Sequence, residues 1–207
     1  MTFKVGLTGG LASGKTTVAE RLAEYGIPVL DADQVVHDLY RPGRPGAGAV
    51  AMVFGVQVID STGGVDRKKL AARVFNDPPS LKILNGLIHP LVITEQARWF
   101  DSLSKAGQPI GVVEATLLVE TGGRTRYDFI VTVSAPEMVR FSRALGRGPG
   151  GDSADIAKRI AAQLPDAGRE AVADVVVMND GTTEELIVKA DALAEKLIAA
   201  AAAQKKS

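Results

Sequence analysis

The sequence predicts an α/β fold in which a parallel β-sheet is covered by helices on both faces. Short apolar runs rich in β-branched residues alternate with amphipathic stretches of helical periodicity, which is typical of such a sheet. A glycine-rich segment separates the first apolar run from the first amphipathic stretch. The alternation stops between residues 34 and 107, where helical patterns continue with little strand signal. We therefore expect a single domain with a helical insertion.

Five apolar runs predict the strands of the sheet. In chain order they are "KVGLT", "IPVLDAD", "PIGVVEATLLVE", "DFIVTVSA" and "ADVVVMNDG". Helices around the sheet are predicted at "KTTVAERLAEYG", "PEMVRFSRALGR", "ADIAKRIAAQL" and "TTEELIVKADALAEKLIA". In the first of these, Val18, Leu22 and Tyr25 share one face, and Gly26 is expected to end the helix.

The composition of the chain argues against several classes of function. Its 207 residues include 24 basic and 24 acidic residues, so it lacks the strong positive charge of a nucleic-acid-binding protein. The sequence has no cysteine, which excludes disulfides, thiolate metal sites and cysteine nucleophiles. It has no apolar run of the roughly 18–20 residues that a membrane span needs, and no signal-peptide pattern. We expect a cytoplasmic protein without nucleic-acid or membrane partners, and the sequence does not predict its oligomeric state.

The segment "GLTGGLASGKTT" contains the phosphate-loop pattern Gly9-x-x-x-x-Gly14-Lys15-Thr16 between a predicted strand and a predicted helix. Successive backbone N–H groups bind phosphate oxygens, and glycine allows the chain to approach them closely. Lys15 is predicted to neutralise the β- and γ-phosphates of ATP, and the Thr16 hydroxyl to ligate Mg²⁺. The residues predicted to bind the nucleotide here are Gly9, Gly10, Leu11, Ala12, Ser13, Gly14, Lys15, Thr16 and Thr17. The predicted fold is accordingly a three-layer sheet of the P-loop NTPase type.

A kinase also needs a group that accepts the proton of the acceptor hydroxyl. Asp31 and Asp33 follow the second apolar run at i and i+2, and they point to the same side if the strand persists. The end of that strand opens onto the same edge of a parallel sheet as the phosphate loop, so Asp33 is the candidate base. The alternative is that both acids cap a helix that begins near Gln34.

Glu114 is a candidate for the metal site because it ends the run "IGVV". Phosphate-loop proteins commonly place at this position an acid that binds Mg²⁺ through water. A solvated acid at the end of a strand explains the position equally well. Glu120 is a weaker candidate of the same kind.

Arg140, Arg143 and Arg147 are spaced by three and four residues, so they lie on one face of the predicted helix. The glycine-rich stretch "GRGPGG" follows, and the combination predicts a lid that closes over the γ-phosphate and excludes water. Arg143 and Arg147 are predicted to act in catalysis, and Arg140 to bind the nucleotide. The alternative is a basic helix face exposed to solvent.

Three single residues give weaker signals. His89 lies in "LIHPLV", and His37 is the only other histidine in the sequence, so no histidine metal cluster or catalytic triad is predicted. Arg67 follows "GGVD" and either holds a ligand phosphate or simply begins an exposed helix. Asn179 follows "VVVM" and either contacts a base edge or forms the Asn-Asp-Gly turn.

Together these motifs resemble those of the dephospho-coenzyme A kinases, over nearly the whole chain. The likeness includes the phosphate loop through "DADQVVHDLY", then "GGVDRKKLAARVFND", "LNGLIHPLV", "VVEATLLVE", "YDFIVTV", the arginine helix, "RIAAQ" and "ADVVVMNDG". The phosphate loop alone is shared by a very large superfamily. A much smaller group of proteins shares "DAD", "LNGLIHP" and "ADVVVMNDG" in this order. The resemblance implies phosphoryl transfer from ATP to the 3′-hydroxyl of the ribose of dephospho-CoA, the last step of coenzyme A biosynthesis.

The resemblance also implies roles for parts of the chain. Residues 1–33 and 108–207 would form the nucleotide-binding core, residues 34–107 a helical insertion that binds the CoA moiety, and residues 143–155 the lid. Asn179 matches a position near the adenine of ATP. The resemblance implies that Asp33 is the base and favours His89 as a substrate-side residue. Arg67 and Leu117 are also predicted to bind the substrate.

The chain departs from the family pattern at three residues and in the spacing before Arg143, which is one residue longer than in some relatives. Thr116-Leu117-Leu118 stands where family members usually carry Pro-Leu-Leu, Ala12 replaces a common glycine, and Gly148 stands where an acid usually follows the lid arginine. Two other functions are possible: another small-molecule P-loop kinase, such as a nucleoside monophosphate kinase, and a nucleotide-dependent switch protein. The sequence has no guanine-reading Asn-Lys-x-Asp motif, which disfavours the switch.

Overall fold

The computed structural model describes residues 1–75, 77–146 and 152–204, and these contain a five-stranded parallel β-sheet. The strands are β1 (Phe3–Gly9), β2 (Val29–Asp31), β3 (Ile110–Glu114), β4 (Phe129–Ser134) and β5 (Val175–Met178). Their order in the sheet is β2-β3-β1-β4-β5, so the first strand of the chain is central. The predicted α/β class is confirmed.

The central strand β1 is buried on both faces. Its register pairs Val5 with Val112 of β3 and with Phe129 of β4. Val5, Leu7 and Val112 are fully buried. A parallel strand covered by helices on both faces is expected to be such a continuous apolar run, which is why "KVGLT" is recognisable in the sequence.

Helices connect the strands, as the sequence predicts. In chain order they are α1 (Lys15–Glu24), α2 (Ala32–Leu39), α3 (Pro45–Phe54), α4 (Arg67–Val74), α5 (Pro78–Lys105), α6 (Glu137–Leu145), α7 (Ser153–Ala161), α8 (Asp166–Glu170) and α9 (Thr183–Gln204). Short 3₁₀ helices lie at Val56–Val58 and Gly123–Thr125. The sequence does not predict α8, because five residues are too few for a periodic pattern. Among the described residues, no helix is long and apolar enough to cross a membrane.

The chain divides into two compact units. The first consists of Met1–Leu30 with Phe100–Ser207, and the second is Asp31–Trp99. In the first unit, Val18 and Leu22 of α1 and Leu197 of α9 are fully buried in one core cluster with β1. The second unit is helical, in agreement with the pattern of residues 34–107, and it has its own buried apolar side chains. These include Val35, Leu39, Val50, Phe54, Val58 and Leu70.

The second strand is shorter than the sequence suggests. It ends at Asp31, whose carboxylate Oδ1 accepts hydrogen bonds from the backbone N–H groups of Asp33 at 2.8 Å and Gln34 at 3.4 Å. Asp31 is thus the N-cap of α2, and Asp33 lies in the first turn of that helix. The expectation that both acids extend from one strand on the same side is wrong. The capping alternative is correct for Asp31.

Candidate active site

The phosphate loop connects β1 to α1, and its backbone requires glycine. Gly9 and Gly14 have φ values of 154° and 101°, which favour residues without a Cβ. A Cβ at Gly14 would lie 2.4 Å from Nδ2 of Asn179, and one at Gly10 would lie 2.4 Å from Nη1 of Arg140. Glycine is therefore needed both for the turn and because two side chains pack directly against the loop.

Ala12 adopts a conformation that usually belongs to glycine. Its φ is 57°, and among the described residues it is the only one other than glycine with a positive φ. The left-handed conformation costs an alanine about 1–2 kcal/mol. Alanine at this position therefore carries a modest cost in backbone energy that glycine would not.

Thr16 and Glu114 lie together at the start of α1. Thr16 is the second residue of α1, and its hydroxyl donates a hydrogen bond of 3.1 Å to Oε1 of Glu114, the last residue of β3. The two residues predicted to bind the metal are thus adjacent, because the carboxyl ends of neighbouring parallel strands meet at one edge. Lys15 directly precedes Thr16 as the first residue of α1, and it is half-buried.

The donor set at this point suits a hard cation. Among the described residues no group of three or more His, Cys, Asp and Glu side chains could hold a metal ion. Mg²⁺ does not need such a cage, since it keeps several of its waters and is usually held by one or two protein oxygens together with substrate phosphates. One hydroxyl and one carboxylate fit that requirement.

Asn179 is buried against the phosphate loop. It is 5% exposed, and its Nδ2 donates a hydrogen bond of 2.8 Å to the carbonyl oxygen of Ser13. Arg143 donates to the backbone oxygen of Asn179 at 3.2 Å, to Oδ1 of Asn179 at 3.3 Å and to the carbonyl oxygen of Gly181 at 3.3 Å. The predicted lid arginine Arg143 is therefore bound to the turn after β5.

Arg140 and Arg143 do not share a solvated surface. Arg140 is 2% exposed, and it donates from Nε to the carbonyl oxygen of Ala135 at 3.1 Å and from Nη2 to Oδ2 of Asp166 at 2.7 Å. The alternative of a basic face exposed to solvent is wrong for Arg140. Arg147 and Gly148, with the rest of 147–151 in the predicted lid, lie outside the described residues.

Three residues beside the loop have no role in the sequence-based prediction. Oε1 of Gln163 accepts a hydrogen bond of 2.9 Å from the backbone N–H of Leu11. Arg169 is fully buried, and its Nη2 donates to Oδ1 of Asp166 at 2.5 Å. Gln163 is the last residue of "RIAAQ", one of the segments that resemble the family, so the sequence did mark this residue. Nothing in the local pattern around Arg169 or Asp166 marks them, because α8 is one short turn of helix.

The predicted substrate-side residues of the second unit have ordinary helical positions. Asp33 is exposed in the first turn of α2. Arg67 is the exposed first residue of α4, and its Nη1 lies 3.5 Å from Nδ1 of His37. His89 is half-buried within α5, directly before Pro90.

Leu117 belongs to the first unit and is 42% exposed in the segment after β3. Its neighbour Leu118 is buried, and the carbonyl oxygen of Thr116 accepts a hydrogen bond of 3.3 Å from the Thr8 hydroxyl. The acceptor is the backbone carbonyl of residue 116, which proline would also supply, so this bond to β1 does not depend on the threonine side chain.

Comparison with known proteins decides the family. A family model described as dephospho-CoA kinase matches residues 3–185. The chain belongs to the dephospho-CoA kinase family. A dephospho-CoA kinase of Leifsonia xyli subsp. xyli is 41% identical over 190 residues, which are 91% of this chain and 96% of the relative.

Two solved structures share the fold of this dephospho-CoA kinase family member. TT1252 from Thermus thermophilus has a TM-score of 0.76 at 30% identity, with 95% of this chain and 98% of that chain covered. The dephospho-CoA kinase from Campylobacter jejuni has a TM-score of 0.66 at 18% identity, with 94% and 97% covered, and it shows the shared fold. Membership of the dephospho-CoA kinase family confirms the predicted P-loop kinase fold, the kinase activity and the assignment to the last step of coenzyme A biosynthesis. ATP as the phosphoryl donor follows from the same assignment.

Proposed function

We propose that the chain transfers the γ-phosphoryl group of ATP to the 3′-hydroxyl of the ribose of dephospho-CoA, giving coenzyme A and ADP. The observation that carries the proposal is the phosphate loop between β1 and α1, with Thr16 and Glu114 3.1 Å apart at its end, in a chain of this family. The residues below are assigned from their chemistry and their surroundings.

The nucleotide site is built on the loop. The backbone N–H groups of Gly9–Thr17 and the N-terminal end of α1 hold the phosphates, and Lys15 supplies the positive charge. Asn179 lies near the adenine, and its bond to Ser13 fixes it against the loop. Arg143 exchanges its acceptors on the turn of Asn179 for phosphate oxygens. Arg147 is assigned to the moving phosphoryl group from the family resemblance.

Mg²⁺ is assigned to Thr16 and Glu114. Their hydroxyl and carboxylate oxygens are hard ligands of the type that Mg²⁺ prefers. The ion, when bound with ATP, neutralises the negative charge that develops on the phosphate oxygens.

The acceptor is assigned to the helical insertion and Leu117, with Asp33 as the base. The 3′-hydroxyl oxygen forms the new bond to the γ-phosphorus, the bond from that phosphorus to the β,γ-bridging oxygen breaks, and the hydroxyl proton passes to the Asp33 carboxylate. ADP leaves with the bridging oxygen. Arg67 and His89 are also assigned to substrate binding. We place this reaction in the cytoplasm, on the composition of the chain.

The test uses the purified chain with Mg-ATP and, in separate reactions, dephospho-CoA, AMP, CMP or gluconate. We expect ADP release above the blank with dephospho-CoA alone, and ³¹P NMR of the product should show a new phosphomonoester on the 3′-oxygen. A rate with AMP or CMP equal to that with dephospho-CoA would contradict the proposal. So would a product phosphorylated at the 2′-oxygen.

A further inference from the structure

Two buried arginine side chains lie against the first half of the phosphate loop. Arg140 is 2% exposed and Arg169 is fully buried. A Cβ added at Gly10 would lie 2.4 Å from Nη1 of Arg140 and 3.0 Å from Nη2 of Arg169. Both guanidinium groups therefore pack directly against the backbone at Gly10.

Asp166 links the two arginines. Its Oδ2 accepts a hydrogen bond of 2.7 Å from Arg140, and its Oδ1 accepts one of 2.5 Å from Arg169. Glu120 adds a second carboxylate, with Oε1 3.7 Å from Nη1 of Arg169. The two positive charges are thus balanced by two negative ones, as burial of ionic groups requires.

The segment that contains Asp166 also binds Leu11, the loop residue after Gly10. Oε1 of Gln163 accepts from the backbone N–H of Leu11 at 2.9 Å, and Oε1 of Glu120 accepts from the backbone N–H of Leu164 at 3.0 Å. The carbonyl oxygen of Arg169 accepts a hydrogen bond of 3.3 Å from the Thr132 hydroxyl of β4. Residues 163–169 therefore connect the sheet to the first half of the loop.

Some N–H groups of Arg140 and Arg169 have no hydrogen-bond partner among the described residues. Within the described part of the chain, Nη1 of Arg140 and both Nε and Nη1 of Arg169 are buried without a hydrogen-bond acceptor. Buried donors of this kind are costly, so a group of them beside the loop needs an explanation other than packing. A cluster that served packing alone could use apolar side chains of similar volume without that cost.

We propose that Arg169 is a positioning residue for ATP binding: through Asp166 it holds the Arg140 guanidinium against Gly10 and so fixes the first half of the phosphate loop. The inference rests on the proposed function of the loop as the ATP site, and not on the identity of the acceptor. Arginine is required because its planar fork donates to Asp166 from Nη2 and places Nη1 3.7 Å from Oε1 of Glu120, whereas lysine has a single ammonium group.

The test is calorimetric binding of Mg-ATP, without acceptor, to the full chain and to Arg169→Met and Arg169→Lys. We expect the Kd for ATP to rise about tenfold or more in Arg169→Met, since truncation of one partner of a buried charge pair is costly. Arg169→Lys should be intermediate, because it restores the charge but not the fork. In steady-state assays the KM for ATP should rise while the KM for dephospho-CoA stays within about twofold.

Arg124→Met is the matched control. Arg124 is an arginine of the same unit, and its side chain is 50% exposed in a pair with Asp174, so its loss should leave the Kd for ATP unchanged. Asp166→Asn preserves the shape of the bridging side chain, and it provides the same test if Arg169→Met does not fold. It should raise the Kd for ATP as Arg169→Met does.

A second measurement separates positioning from folding. Gly10→Ala inserts a Cβ where the two guanidinium groups lie, so its effect on the Kd for ATP should be smaller in the Arg169→Lys background than in the parent chain. A folded Arg169→Met or Asp166→Asn variant that binds ATP within threefold of the parent would overturn the inference. Absence of turnover with dephospho-CoA in the parent chain would instead count against the proposed function alone.

Discussion

The side-chain amide of Asn179 donates a hydrogen bond of 2.8 Å to the carbonyl oxygen of Ser13, although 166 residues separate the two in sequence. The same Asn179 accepts hydrogen bonds from Arg143 on its backbone and side-chain oxygens. One buried amide thus joins the phosphate loop to the turn after β5 and to α6. These hydrogen bonds hold the turn after β5 and α6 against the phosphate loop within the first unit.

Asn179→Ala should lower both stability and ATP affinity. It leaves the Ser13 carbonyl without its side-chain donor and Arg143 without one of its acceptors, and a buried group that loses its partner costs about 1–3 kcal/mol. Urea unfolding and the KM for ATP measure the two effects. Asp180→Asn is the control, because Asp180 is exposed and pairs with Lys189 away from the loop. An Asn179→Ala unfolding curve identical to that of the parent chain would show that the hydrogen bonds of Asn179 do not stabilise the fold.

Gly14→Ala should abolish nucleotide binding. At φ of 101° any Cβ is strained, and this one would lie 2.4 Å from Nδ2 of Asn179. We expect a loss of roughly 1–2 kcal/mol of stability from the backbone alone, together with loss of ATP binding. Thermal unfolding with and without Mg-ATP measures both.

Gly48→Ala is the matched control for that substitution. Gly48 lies in α3 with nothing within 4 Å of an added Cβ. There alanine should stabilise the helix by about 0.5–1 kcal/mol. Equal effects of the two substitutions would mean that the conformation of Gly14 is not needed.

The local pattern predicts much of this site correctly. The loop, the strand that precedes it and the helix that follows can be identified from glycine spacing and apolar periodicity. The pairing of Thr16 with Glu114 follows from the rule that parallel strands present their carboxyl ends at one edge. These features depend on residues close in sequence or on a general property of parallel sheets.

Features that depend on tertiary packing could not be predicted in this way. Arg169 and Asp166 lie in a one-turn helix, and the burial of Arg169 against Gly10 results from contact between segments more than 150 residues apart in the sequence. The strand does not continue to Asp33 for a local reason. The carboxylate of Asp31 accepts a hydrogen bond from the backbone N–H of Asp33, so α2 begins at Ala32, two residues before the expected start at Gln34. Short polar side chains compete with strand pairing in this manner.

Asp33→Asn tests the proposed base. It should lower kcat by about two to four orders of magnitude, the usual contribution of a general base, and leave the Kd for ATP unchanged because the loop is untouched. Quenched-flow or coupled ADP assays measure the first and calorimetry the second. Asp38→Asn in the same helix, whose partner is Arg41 at 3.1 Å, should retain parental kcat. Near-parental turnover by Asp33→Asn would remove this residue from the mechanism.

Glu114→Gln tests the metal assignment. It keeps the size of the side chain and an acceptor for Thr16 but removes the negative charge, so more Mg²⁺ should be needed for half-maximal activity, by about tenfold or more. Initial rates across a series of free Mg²⁺ concentrations at fixed ATP measure this. Glu20→Gln, an exposed residue of α1, should leave the Mg²⁺ dependence unchanged. An unchanged dependence in Glu114→Gln would place the metal elsewhere.

The second unit should lose stability in acid because its loops and helix starts use ionised aspartates. Hydrogen bonds from the Thr62 side chain, the Lys69 backbone and the Ser80 side chain are the main causes that lower the pKa of Asp60, Asp66 and Asp77, respectively. A group whose pKa is lower in the folded than in the unfolded chain contributes its full stability above the unfolded pKa of about 3.9. That contribution is lost as the pH falls through the lower, folded pKa.

Urea unfolding from pH 7 to pH 2.5 should therefore show a falling free energy of unfolding below about pH 4. Asp66→Asn isolates one of these carboxylates: asparagine still caps α4 but does not titrate, so the decline in acid should be shallower than in the parent chain. Asp101→Asn, an exposed residue of α5 with no cap to form, should follow the parental profile. An Asp66→Asn profile parallel to that of the parent would show that Asp66 has the same pKa in the folded and unfolded chains.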